Sequence, residues 1–362
     1  MVNQGQDWDC LIGAPRSLRP QAYGGVVTDP RSSTPLSILD LAIVREGQPV
    51  AEALAESVAL AQHAEATGRF TRIWYAEHHN MKAIASSATA VLIAHVAAHT
   101  ETIRLGAGGV MLPNHAPLII AEQFGTLAEL HPERIDLGLG RAPGTDPVSM
   151  RALRRDARAS DSFPEDIREL QGYLAGESLI PSVAAHPGAG TRVPLYILGS
   201  SMYGAQLAAA MGLPYAFASH FAPDALLPAM RAYREQFRPS AQLAEPYAIA
   251  ALNVVAAPDS GQARELADAV LRSRVRSLAE RVPQLAGRRI DEATIAELMR
   301  SPIADQARHM VTYTAVGDRG EVAAYLRQFR AETGADELMI TNPAPSLDAR
   351  HTVLDVLASI TD

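Results

Sequence analysis

The chain has 362 residues and a formal charge of −8, with 48% hydrophobic and 5% aromatic residues. That length suits an α/β barrel with insertions and does not demand two domains, and the acidic balance leaves no basic stripe for nucleic acid. The single cysteine, Cys10, excludes an internal disulfide and any multi-cysteine metal site. With no apolar run of membrane-span length and no signal-peptide profile at the N-terminus, cytoplasmic residence is expected.

In chain order, residues 1–34 are rich in Gly, Pro, Arg and polar groups without a sustained period, which predicts a loosely ordered extension ahead of one domain over residues 35–362. A mostly apolar strand over 36–44 is followed by helical spacing over 50–67 that ends at Gly68, a C-terminal cap. The second strand, 72–76, runs into Glu77-His78-His79-Asn80, and its helix covers 87–99. A third strand over 103–111 precedes a helix over 117–130, and the fourth strand is 135–139.

The pattern then loosens. Residues 146–161 form a charged connection, and a helix over 163–174 is entered through Ser162. The Pro- and Gly-bearing loop 176–191 is long enough for a lid or rim segment. Strands follow at 194–198, 213–218, 247–256 and 337–341, interleaved with helices at 203–211, up to Tyr233, at 261–278, in an insertion at 291–309, and at 317–330. Eight strands alternating with helices predict parallel pairing and a (β/α)8 barrel, whose chemistry belongs at the C-terminal ends of the strands.

At those ends stand the candidate residues. Glu77, His78 and His79 end the second strand; side chains alternate along a strand, so His78 and His79 diverge and one of them can face the barrel mouth as acid, base or donor. The tripeptide has no helical spacing and no third ligand cluster, so no metal is expected. Gly106, Gly108 and Gly109 lie inside the third strand, and Gly138 and Gly140 lead into Arg141. Such glycines mark either relief of crowding or close approach of a flat ligand. Gly138-x-Gly140 followed by Gly144 has one residue too many for the Rossmann fingerprint, and no acidic residue closes a following strand, which excludes a dinucleotide site.

Gly199, Ser200, Ser201 and Gly204 join the fifth strand to a helix. Backbone N–H groups and two hydroxyls at a helix start, with Arg141 on the neighbouring strand end, suit a phosphate better than plain capping. Asn114 and His115 receive no role. Ser219-His220-Phe221 ends the sixth strand, with a structural role at least as good a reading for His220, and Trp74 and Met111 are read as core.

Trp74-Tyr75-Ala76-Glu77-His78-His79-Asn80, Gly108-Gly109-Val110-Met111-Leu112-Pro113-Asn114-His115, Gly138-Leu139-Gly140-Arg141 and Leu198-Gly199-Ser200-Ser201 together resemble the flavin-dependent monooxygenases similar to bacterial luciferase, and the resemblance runs from Leu36 to the C-terminus. It implies FMN at the barrel mouth, a cis peptide at Gly108–Gly109 beneath the flavin ring, phosphate contacts from Arg141, Ser201 and the backbone near Gly204, and His78 as the catalytic histidine. It further implies reduced FMN delivered by an NAD(P)H-dependent flavin reductase, a flavin peroxide formed with O2, transfer of one oxygen atom to a small organic substrate in a pocket shaped by the loops after Arg141 and at 176–191, and a homodimer using helices such as 87–99. The sequence departs from the light-emitting members. The arginine-rich run 154–158 does not align with their second phosphate-binding arginine, Ser200 stands in place of a glutamate, and Ser219 in place of a tryptophan beside the flavin. The alternatives are a deazaflavin (F420)-dependent hydride-transfer enzyme and a flavin-binding protein without turnover.

Overall fold

The computed structural model describes residues 34–142, 146–282, 285 and 290–361. The extension expected over residues 1–34 lies, apart from Thr34, outside the described residues. Eight parallel strands close into the expected barrel: β1 (Leu36–Asp40), β2 (Phe70–Tyr75), β3 (Arg104–Met111), β4 (Ile135–Gly140), β5 (Leu195–Gly199), β6 (Tyr215–Phe217), β7 (Ala248–Ala256) and β9 (Glu337–Thr341). Each of β1 to β6 pairs with the next, β6 pairs with β7, and β7 pairs with β9, which returns to β1. A ninth strand, β8 (Thr314–Gly317), pairs with the far end of β7, from Asn253 to Ala256.

Several boundaries differ from the sequence reading. The first strand stops at Asp40, whose carboxylate accepts from Ala42 N at 3.1 Å and from Ser57 Oγ at 2.6 Å and meets Arg350 at 2.7 Å, turning the chain out of the sheet. The insertion at 291–309 is two helices, Glu292–Leu298 and Pro302–Met310, because Ser301 caps a new start and Pro302 takes its first position. The helix expected at 317–330 begins at Arg319, with an Asp318/Glu321 capping box that leaves 314–317 extended as β8. A closing helix, Leu347–Ala358, follows β9 and was not expected.

The loop 176–191 is not a lid over the barrel mouth. It leads from helix Phe163–Ala175 to the start of β5, and so belongs to the opposite end of the barrel from the strands' C-termini. It is fastened there by Gly190 N and Arg192 N, which donate to Leu174 O, and by Gly188, which lies so close to Gly125 of helix Pro117–Leu130 that a Cβ on Gly125 would overlap it.

Inside the barrel, alternate residues such as Leu39, Trp74, Tyr196, Ala216, Ile249, Ala251 and Met339 form one apolar cluster, and the larger cluster lies between the strands and the helices. Trp74 is thus core, as expected. Below this layer the barrel is floored by ions. Arg72 lies 2.7 Å from Asp136 and 3.0 Å from Glu337, Arg104 pairs with Asp136 at 2.5 Å, and Tyr196 and Tyr247 complete the network at 2.7 and 2.6 Å. Two guanidiniums face two carboxylates, and the abundance of partners is what allows Arg72 to sit 3% and Asp136 0% exposed. Among the described residues no helix is long and apolar enough to cross a membrane.

Candidate functional site

The three residues that end β2 have three different settings. Glu77 is 2% exposed. Its carboxylate accepts from His79 Nε2 at 2.9 Å, from His115 Nε2 at 2.9 Å, from the backbone N–H of Met111 at 3.1 Å and from Asn114 Nδ2 at 3.3 Å. Burial alone would raise its pKa, but the hydrogen bonds from His115 and His79 outweigh that and hold it down at about 2. In return Glu77 raises the pKa of His79. The anion therefore ties the end of β2 to the end of β3 and to the short 3-10 turn Leu112–Asn114. His78, between them, is half-buried.

Asn114 and His115, which received no role from the sequence, are thus part of this cluster. The signal was their position just past β3, opposite Glu77 on the adjacent strand. Their meeting point is a knot of hydrogen bonds; among the described residues no group of three His, Cys, Asp or Glu is placed to hold a metal ion.

The peptide between Gly108 and Gly109 is cis, as the resemblance implied. The glycines around it answer to crowding as well as to access. A Cβ on Gly109 would lie 2.6 Å from Gly138 O, one on Gly106 would lie 2.7 Å from Asp136 Cβ, and one on Gly138 would run into Ala107 O. Gly140 would meet Met111 Sδ at 2.8 Å, the far end of a flexible side chain. Steric need thus explains Gly106, Gly109 and Gly138 without a ligand.

At the ends of β4 and β5, Arg141 is brought beside the helix that starts after Ser201. The Arg141 guanidinium lies over the ring of Tyr203, 4.1 Å from its centroid, and its Nε donates to Ser160 O at 3.2 Å. Tyr203 belongs to the first turn of helix Met202–Met211, for which Ser201 is the N-cap residue with extended backbone and no side-chain capping bond. Ser200 and Ser201 are exposed. Gly199 and Gly204 face each other closely, a Cβ on Gly204 lying 3.3 Å from Gly199 Cα, which lets the strand and helix meet at this point. Tyr203 carried no mark in the sequence beyond its place in the Ser-Ser-x-Tyr run. In the arginine-rich run, Arg155 Nε reaches Asn114 O at 3.4 Å, whereas Arg158 is exposed beside Asp156.

After β6, Ser219 turns its hydroxyl onto Ala251 O of the barrel wall. His220 is half-buried, and desolvation, with the charges of Arg274 and His78 nearby, pushes its pKa down to about 3. Its imidazole is therefore neutral across the physiological range.

This geometry has close parallels. Residues 35–337 match the model of the luciferase-like monooxygenase family. A luciferase-like monooxygenase of Escherichia coli K12 is 46% identical over 306 residues, covering 84% of this chain and 90% of that one. The apo form of MsnO8 superposes with a TM-score of 0.79 at 32% identity, over 90% of this chain and 98% of the other. Two more distant structures share the fold. The oxygenating constituent of 3,6-diketocamphane monooxygenase from a Pseudomonas putida plasmid, in complex with FMN, gives a TM-score of 0.67 at 16% identity and covers 90% and 98% of the two chains. The coenzyme F420-dependent tetrahydromethanopterin reductase of Methanopyrus kandleri gives 0.66 at 15%, covering 91% and 98%. The family match over most of the chain and the extent of the first two likenesses identify this protein as a member of the luciferase-like monooxygenase family.

Proposed function

We propose that this family member uses reduced FMN and O2 to place one oxygen atom on a small organic substrate. The observation that carries the reading is the convergence, at adjacent strand ends, of Arg141 with an uncapped, exposed helix start at Ser200 and Ser201. That donor set fits a phosphate dianion, through a guanidinium on one side and a positive helix end on the other. Gly199 and Gly204, packed against each other and Tyr215, let β5 and the helix meet closely at this point. The cis Gly108–Gly109 peptide packs against the Trp74 and Leu39 side chains, which a Cβ on Gly108 would meet at 2.9 Å, and the proposed place of the flavin ring is beside this peptide.

Bound in its reduced form, FMN supplies two electrons that let O2 react, one oxygen atom going to the substrate and the other to water. The protein's share is positioning and proton handling. His78 holds or passes a proton at the mouth. Glu77 is a positioning residue: with His79, His115 and Asn114 it fixes the β2 and β3 ends between which His78 stands. The apolar barrel interior beneath keeps water from the reacting centre. An NAD(P)H-dependent reductase is the proposed source of reduced FMN, and Val91, 70% exposed on helix Thr89–Ala97, offers an apolar face to a second copy of the chain.

The competing reading, hydride transfer with F420, is raised by the fold shared with the Methanopyrus kandleri reductase. Both are tested by titrating the protein with photoreduced FMN and mixing with oxygenated buffer while absorbance and dissolved oxygen are followed. Tight binding with a long-lived oxygen-dependent spectral species supports the monooxygenase; binding of F420 in preference to FMN, without oxygen uptake, defeats it.

A further inference from the structure

Helix Thr89–Ala97 turns Leu92, Ile93, Val96 and Ala97 into the core and leaves His95, in its last turn, exposed. His99 follows just past the C-cap residue Ala98 and is exposed as well. The chain tightens there, the His99 backbone N–H donating to Val96 O at 3.0 Å, three residues back. The His99 carbonyl accepts from Gln62 Nε2 of helix Val50–Thr67 at 2.9 Å, which holds this end of the helix to its neighbour. The two imidazole rings consequently lie side by side, with centroids 4.6 Å apart and planes 60° from each other.

His99 Nδ1 is 2.7 Å from the carbonyl oxygen of His95. A carbonyl only accepts, so Nδ1 donates, and in the neutral ring Nε2 carries the lone pair. Satisfying a last-turn carbonyl is a common use of a histidine at a helix end and accounts for that bond. It does not account for a second imidazole beside the first, close enough for one atom to join the two. A ring N–H held by a backbone carbonyl is also how a metal-binding histidine is oriented and its tautomer chosen. Two histidines four residues apart on one helix face make a chelating pair, and the C-terminal end of a helix favours a cation.

We propose that His95 and His99 form a chelating site for a divalent transition cation of the zinc and copper kind, bound through Nε2 of His99 and a ring nitrogen of His95. Among the described residues no third His, Cys, Asp or Glu joins the pair, so water completes the coordination shell. Imidazole ligands select such a cation over Mg2+ and Ca2+, which prefer oxygen. The helix leads from the C-terminal end of β2 to the start of β3, so the site lies at the opposite end of the barrel from the mouth and stands apart from the flavin chemistry. A cation bound there staples the last turn of the helix and stabilises the folded chain by mass action. None of this rests on the function proposed above.

The test is calorimetric titration of the purified protein with Zn2+, Cu2+ and Mg2+. Zn2+ and Cu2+ should bind, copper the more tightly, and Mg2+ should not. His95→Ala and His99→Ala should each weaken both cations on the order of tenfold or more, at least the loss expected for an outer-shell partner. His186→Ala, which removes an exposed histidine from the loop 176–191, should change neither. With Cu2+ at one equivalent, the electron paramagnetic resonance spectrum should show nitrogen ligation that the double variant His95→Ala/His99→Ala lacks. Zn2+ should raise the thermal midpoint of the wild type and not that of the double variant. Both side chains lie outside the core, so circular dichroism and FMN affinity of the variants should match wild type. No binding of Zn2+ or Cu2+, binding untouched by either substitution, or an equal loss from His186→Ala overturns the assignment. Failure of FMN to bind would instead remove the flavin reading, and the cation titrations would still decide this site.

Discussion

Arg141 and Tyr203 come from different β/α units, yet the guanidinium of one lies 4.1 Å above the ring of the other. The stacking restrains a long side chain at the C-terminal end of β4. Arg141→Ala should weaken FMN on the order of tenfold to a hundredfold while changing riboflavin, which has no phosphate, by much less. Tyr203→Ala should weaken FMN by a few-fold, roughly the worth of one cation–π contact. Fluorescence quenching titrations with both flavins decide this; equal losses for the two would remove Arg141 from the phosphate.

His78 should be separable from binding. His78→Ala is expected to keep FMN affinity within a few-fold and to lower product formation on the order of a hundredfold or more, the usual scale for a lost acid or base. Product yield per reduced FMN, measured with a substrate once identified, is the readout. An unchanged yield would take His78 out of the mechanism.

Glu77 makes a prediction about pH. Its carboxyl has an ordinary value of 4.5 outside the fold and is held at about 2 within it. Its contribution to stability is therefore complete above pH 4.5 and is lost as pH falls through about 2, and it amounts to roughly 3 kcal/mol. His79 is shifted the other way, upward from 6.5. Its share is complete below pH 6.5 and fades as pH rises through its higher folded value. Glu77→Gln should remove both dependences. Thermal unfolding from pH 3 to 8 should show the gap between wild type and variant narrowing at the acid end; a gap independent of pH would contradict the account.

The barrel floor should matter for stability and not for flavin. Asp136→Ala leaves Arg72 and Arg104 with Glu337 as the remaining buried carboxylate of the network, and the loss should be about 3 to 5 kcal/mol. Urea unfolding measures it. FMN affinity of the variant that remains folded should match wild type, and a selective loss of flavin binding would argue that the floor shapes the mouth.

The barrel was legible because its strands are short apolar runs ended by turn residues, and each is followed by helical spacing. β8 was not legible: four residues, Thr314-Ala-Val-Gly317, run straight into a helix cap, so their extended state depends on the overhanging end of β7. The site residues were visible as polar groups at strand ends, but their division of labour was not. Nothing in Glu77-His78-His79 says that the glutamate faces inward and is met by His115 and Asn114 from the next strand, since that depends on how β2 and β3 are set side by side.

The double pairing of β7 has an evolutionary reading. Ile249–Asn253 closes the barrel with β9, while Asn253–Ala256 clips on β8 outside it. Everything between β7 and β8, including helix Ser260–Ala279, is thereby stitched down at its own two ends and could be lengthened, shortened or exchanged among relatives without reopening the cylinder. Such an appendix would let a lineage retune what it accepts while the machinery at β2 to β5 stays as inherited.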